Sequence, residues 1–150
     1  MLKKVDRISF ELGMINCFVE MVACGVKKMA ISPPLAPDDY RLVEPLSEKM
    51  VQAFGIKSHM EKSLLITDLQ TEDFTRGKWA ILYYADDSVL KTYFNLKKRQ
   101  QKLKNTGRYD EGNRKAISRE FMRLLSYPED IIANKLAQDS PESPFILIDE

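Results

Sequence analysis

"ILYYADDSVL", residues 81–90, decides how the chain is read. Ile81, Leu82, Tyr83 and Tyr84 continue an apolar run that begins at Trp79. A near-continuous run of this kind is what a strand covered on both faces requires. From Ser88 onward the period changes. Val89, Tyr93 and Leu96 fall on one helical face, with Leu90 and Phe94 beside them. Strand gives way to helix at Asp86 and Asp87. A helix beginning there leaves its first N–H groups without partners, and the Asp86 carboxylate can accept from them. Asp87 then falls in the first turn, near the positive end of the helix dipole.

Upstream, Ile8, Leu12, Ile15, Val19 and Val22 recur at spacings of 4, 3, 4 and 3. Phe10, Met14, Cys17, Phe18 and Met21 widen that apolar face to most of the circumference, leaving Ser9, Asn16 and Glu20 as a narrow polar stripe. A helix so apolar is expected to be covered on several sides, within the fold or by a second copy. Val26, Met29 and Ile31 predict a short strand that ends at Ser32-Pro33-Pro34. Pro37, Asp38 and Asp39 open a second helix that Pro45 kinks or restarts and Gly55 ends. The stretch "IKSHMEKSLLITDL" reads as extended chain. Strand, helix and strand predict one βαβ unit at residues 26–69, with a right-handed crossover and parallel strands. After residue 90 come a long helix to Gly107, a helix over 113–125, and a short one through Leu136. Ser126 and Glu129 read as a capping box for this last helix.

The expected class is therefore α/β (or α+β), a small, mostly parallel sheet of three or four strands with about five helices. Residues 1–138 are expected to form one domain, and residues 139–150 an acidic tail, loose or adding an edge strand at 145–148. The composition, 44% hydrophobic and 30% charged in 150 residues, is that of an ordinary globular chain. Asp6, Arg7 and Glu11 interrupt the apolar core that a signal peptide would need, and no run is long enough to span a bilayer. The expected location is cytoplasmic. Cys17 and Cys24, two helical turns apart, are too distant for a disulfide within one helix and are expected to be small buried side chains.

Residues 84–87, "YADD", with acids at Asp86 and Asp87, resemble over these four residues the metal-holding turn of reverse transcriptases. That resemblance implies a palm larger than this chain and a motif set between two antiparallel strands. Here helical spacing follows, and no other part of the chain resembles the family, so polymerase chemistry is not expected. A broader reading puts a ligand beyond the carboxyl ends of parallel strands. Ser32, Asp68, Asp86 and Asp87 are its candidate ligand-binding residues, and they could serve a divalent metal and a phosphate ester. No glycine-rich loop accompanies them, and "SPPLAP" supplies prolines where N–H donors would be wanted.

Charge is unevenly spread. Residues 91–123 carry eleven Lys/Arg against three Asp/Glu, a local +8 in a chain of net +1. The basic helix 97–108 could bind nucleic acid non-specifically, but no recognition motif accompanies it, and a solvated face is expected. His59 is the single histidine, which leaves no His-based triad. No catalytic residue, metal or cofactor is assigned. The expected function is a binding, regulatory or interaction module, forming a homo-oligomer through the apolar first helix or taking a small-molecule ligand. The alternatives are a divalent-metal-dependent enzyme acting on a phosphorylated small molecule, and non-specific nucleic-acid binding through 97–108.

The reading of the opening stretch makes one prediction. Asp86→Ala should lower the melting temperature by a few degrees, while Asp86→Asn and Asp86→Ser, which can still cap, should lose much less. Equal losses in all three variants, or a loss seen only with magnesium present, would rule the cap out.

Overall fold

The computed structural model describes residues 5–70 and 72–138. Along them run α1 (Arg7–Ala23), β1 (Met29–Ile31), α2 (Pro37–Phe54), β2 (Lys57–Glu61), α3 (Glu72–Thr75), β3 (Ala80–Tyr84), α4 (Asp87–Asn105), α5 (Glu111–Leu124) and α6 (Glu129–Leu136). Helix ends follow local chemistry. Asp6 caps α1 by accepting from the Ser9 N–H, and Asp110 caps α5 by accepting from Asn113. Gly55 closes α2 in the left-handed conformation, at φ 67°.

Among the described residues the sheet has three strands in the order β1-β3-β2, and both pairings are antiparallel. This corrects the expected parallel sheet. β1 and β2 do run the same way, joined by α2. They never pair, because β3 lies between them and runs against both. Met29 and Lys57 both face Tyr84 across it, and Glu61 faces Ala80. The βαβ unit is thus a split one, opened by a later strand. The cause of the misreading is physical. A strand buried on both faces is apolar throughout whether its neighbours are parallel or antiparallel, so the composition of β3 does not report direction. The coarse class, mixed helix and sheet, stands, with six helices among the described residues.

Each face of the sheet carries a helical layer. On one side Ala30, Ile81 and Tyr83 pack with Ile15, Val19 and Val22 of α1 and Val43 and Val51 of α2. On the other, Met29, Ala80 and Leu82 pack with Tyr93 and Leu96 of α4 and Ile117 and Phe121 of α5. All five residues of β3 are buried. α6 closes a smaller cluster through Met122, Ile132 and Leu136.

Smaller expectations also change. α2 passes through Pro45 unbroken, and that proline stands on the exposed side. The short α3 forms among the polar residues between β2 and β3. Ser126 caps nothing on α6: it takes φ 66° just past α5, and its hydroxyl accepts from the Lys28 N–H at 2.9 Å. The N-cap position of α6 is Pro128, with no side-chain cap. The expected tail at 139–150 lies outside the described residues. Among those described, no helix is long and apolar enough to cross a membrane.

One buried polar contact ties the α2 layer to the central strand. The Ser47 and Tyr83 hydroxyls lie 2.6 Å apart, both side chains fully enclosed. Tyr83→Phe leaves the Ser47 hydroxyl without a partner and should lower unfolding free energy by about 1–3 kcal/mol. The double variant Tyr83→Phe, Ser47→Ala should recover part of that loss in urea denaturation. Strictly additive losses would show that the two hydroxyls do not act as a pair.

Candidate functional site

The antiparallel order separates the residues that parallel strands would have gathered. Asp86 and Asp87 leave β3 at its Tyr84 end. Ser32 meets β3 at its other end: its N–H donates to the Ile81 carbonyl and its hydroxyl accepts from the Ile81 N–H, both at 2.9 Å. From Ile81 to Asp86 is five strand steps, about 16 Å. Ser32 is buried, and its role is local. Pro33 and Pro34 bend the chain away from β3, and the Ser32 side chain supplies the acceptor that Ile81 would otherwise lack. Pairing resumes at Leu35 and Trp79.

Asp68 is held elsewhere, against the first half of α5. Its N–H donates to the Ser118 hydroxyl at 3.0 Å and its carboxylate pairs with Arg114 at 3.1 Å. Asp86 accepts from the Ser88 N–H at 2.8 Å as the N-cap of α4. That backbone hydrogen bond holds its carboxyl below the ordinary carboxylate value. Asp87 pairs with Lys57 at 2.7 Å, both side chains exposed. Among the described residues, no three of His, Cys, Asp and Glu are grouped to hold a metal ion.

The β3–α4 turn does border a cleft of about 580 Å³, between the end of α1, the start of α4 and the last turn of α5. Its floor is apolar, with Val22, Val89 and Leu124, and its rim carries both signs, with Lys28, Asp86, Glu120 and Arg123. Most of those charges are engaged. Arg123 grips Glu129 through two nitrogens, and Glu120 is gripped by Arg99 in the same way. Lys27, also on the wall, donates to the Leu125 carbonyl at 2.8 Å, and burial holds its ammonium below the usual lysine value.

The basic band on α4 is neutralised in part by its own fold. Burial would raise the Glu61 carboxyl, but the Lys97 ammonium, the Ser63 N–H and the Tyr93 hydroxyl outweigh it, and the group is held low. Lys97 and Tyr93 each reach Glu61 at 2.8 Å. His59 stands edge-on to Phe94, ring centres 5.1 Å apart.

α1 carries apolar residues on two faces. Ile15, Val19 and Val22 face the core. Behind them runs a second row with the same spacing: Phe10, Met14, Cys17, Met21 and Cys24. Phe10 and Met21 are 37% and 39% exposed, Met14 is half-buried, and both cysteines are exposed free thiols. The expectation that Cys17 and Cys24 are buried is thus corrected. They lie on the face of α1 turned away from the sheet. In the same helical layer, α2 leaves Leu42 61% and Leu46 44% exposed.

α1 also carries a group that spacing alone does not reveal. Glu11 falls among the core-facing residues, 3% exposed, and its Oε2 has no hydrogen-bond partner among the described residues. Burial raises its carboxyl above the ordinary value, with Arg7 and Lys78 opposing and Asp39 adding to the rise. A wheel drawn with Glu11 on the apolar arc would have flagged it.

No protein-family model matches the chain, and neither curated proteins nor solved structures include one similar to it.

The buried carboxyl has a consequence for stability. The folded state binds the Glu11 proton more tightly than the unfolded chain does. Stability from this group is therefore full below the unfolded value and lost as pH rises through the folded one. Glu11→Gln should match wild type in melting temperature near pH 4 and exceed it near pH 8. A difference that does not change with pH would show that Glu11 titrates normally.

Proposed function

We propose that the chain is a cytoplasmic interaction module that works by binding, as a homodimer through the outer face of α1. One observation carries the reading: the row Phe10, Met14, Cys17, Met21 and Cys24 repeats at 4, 3, 4 and 3 along a helix whose opposite face already fills the core. Such spacing is what a second helix needs for knobs-into-holes packing, and a helix packed on one side alone has no use for it. Surface apolar residues occur singly on many proteins, whereas a continuous row marks a surface for association. Two exposed free thiols fit a compartment that keeps cysteines reduced, which supports the cytoplasmic part of the reading.

Light scattering on the intact chain tests it. The expected mass at micromolar concentration is that of two chains. Met21→Glu and Phe10→Glu should each give a monomer with no loss of helix content by circular dichroism. A wild-type monomer at every concentration up to about 100 μM, where even a weak complex forms, would overturn the reading.

A further inference from the structure

We propose that the cleft beside the β3–α4 turn takes an aldehyde that carries an anionic group, held as an imine on the Nζ of Lys27. The proposal stands apart from the homodimer reading, since no residue of the outer row of α1 lines this cleft.

Lys27 is fixed from several sides. Its N–H donates to the Met21 carbonyl at 3.2 Å, and the next N–H, that of Lys28, donates to the Ser126 hydroxyl at 2.9 Å. Its Nζ donates to the Leu125 carbonyl at 2.8 Å. Leu125 closes α5, and its carbonyl is one of those that a helix end leaves without an internal partner. These contacts set a half-buried amine on the wall of a cleft of about 580 Å³ whose floor is Val22, Val89 and Leu124. Small organic ligands occupy clefts of roughly 300–1,000 Å³ with mostly apolar linings.

Lysine attacks a carbonyl only as the neutral amine, and an ion pair with a carboxylate favours the charged form. Lysine ion pairs among the described residues are those of Lys57, Lys97 and Lys115, and Lys27 makes none. Its ammonium meets the negative end of α5 and the face of Tyr127, 5.5 Å from the ring centre. Both favour the cation. Burial opposes them and wins, since the group is held below the usual lysine value. The neutral amine can still give one N–H to Leu125 and keep its lone pair free.

The rim says what else the ligand carries. Arg123 is taken by Glu129, Glu120 by Arg99, and Asp86 by the Ser88 N–H. Lys28 is exposed there, and no side-chain hydrogen bond or ion pair engages its ammonium among the described residues. It is the charge left to receive an anion. The reaction is a condensation. The Lys27 lone pair attacks the carbonyl carbon, a C–N bond forms, and the C=O bond opens to a carbinolamine. The oxygen then leaves as water with the two amine protons as C=N forms. No electrons are exchanged, so the step needs no oxidant or reductant.

The test treats the full chain with para-carboxybenzaldehyde and sodium cyanoborohydride, whose hydride reduces the imine to a stable secondary amine for peptide mapping. The α-amine of the chain is counted apart. Lys27 should take the label at least about tenfold faster than any other lysine, as a positioned amine does. Its labelling rate should level off below the ordinary lysine value as pH rises. Lys27→Arg, which can still donate to the Leu125 carbonyl, should lose the fast label with an unchanged circular dichroism spectrum. Benzaldehyde, which lacks the anion, should label Lys27 more slowly, and Lys28→Ala should bring the two aldehydes to one rate. Label spread evenly over the exposed lysines of the wild-type chain overturns the proposal, a result that needs no variant. Equal rates for the two aldehydes on wild type overturn the anionic ligand.

Discussion

β3 is hydrogen-bonded along both edges and packed against helices on both faces. Five residues thus set the position of almost everything else. Alternate side chains divide the core: Ile81 and Tyr83 toward α1 and α2, Ala80 and Leu82 toward α4 and α5. A one-residue slip of β3 would exchange the two sets, burying the Tyr83 hydroxyl where Ser47 cannot reach it. The strand has no exposed edge to mispair, and its flanking strands are only three and five residues long. A small sheet is made specific in this way by its centre rather than by its size.

Much of this was legible in the residues, and what was not has identifiable causes. The strand-to-helix change at Asp86 could be read because period and capping chemistry agree there. The helix bodies could be read from their apolar spacing. Strand order could not, because nothing local in Val26 to Ile31 or in "IKSHME" says which strand lies beside which. Without that order, Ser32 and Asp68 looked like companions of Asp86, although tertiary pairing sends each to a separate task. Ser126 carried the composition of a cap, yet it closes α5 and binds the Lys28 N–H. The burial of Glu11 runs against its charge, although it shares a helical face with Ile15 and Val22. The exposure of Cys17 and Cys24 needed the knowledge that α1 meets the sheet on one face only.

Charge is arranged with the same economy. The surplus of Lys and Arg between residues 91 and 123 looks like an open basic face when counted along the chain. In three dimensions Lys97 answers Glu61 beneath it, Arg99 answers Glu120 on α5, and Arg114 answers Asp68. These pairs join segments far apart in sequence, and Glu61 is the most enclosed of them. The second row of α1 has no such partners to draw on, being uncharged from end to end.

The position of β3 also bears on how the fold is made. β1 and β2 are neighbours in the chain but not in the sheet, and neither has a backbone partner until β3 lies between them. During synthesis, everything up to residue 79 leaves the ribosome without a sheet to join. α1 and α2 can form as helices, but the surface they are to cover does not yet exist. Assembly then waits on a single late segment that closes two long loops at once, a non-local step of the kind that slows folding. In that interval both rows of α1 are bare, the inner one as well as the outer. A growing chain is therefore adhesive until Ala80 to Tyr84 arrive, and the second face of its sheet stays bare until α4 and α5 follow, so a companion that covers apolar surface is of use to it throughout.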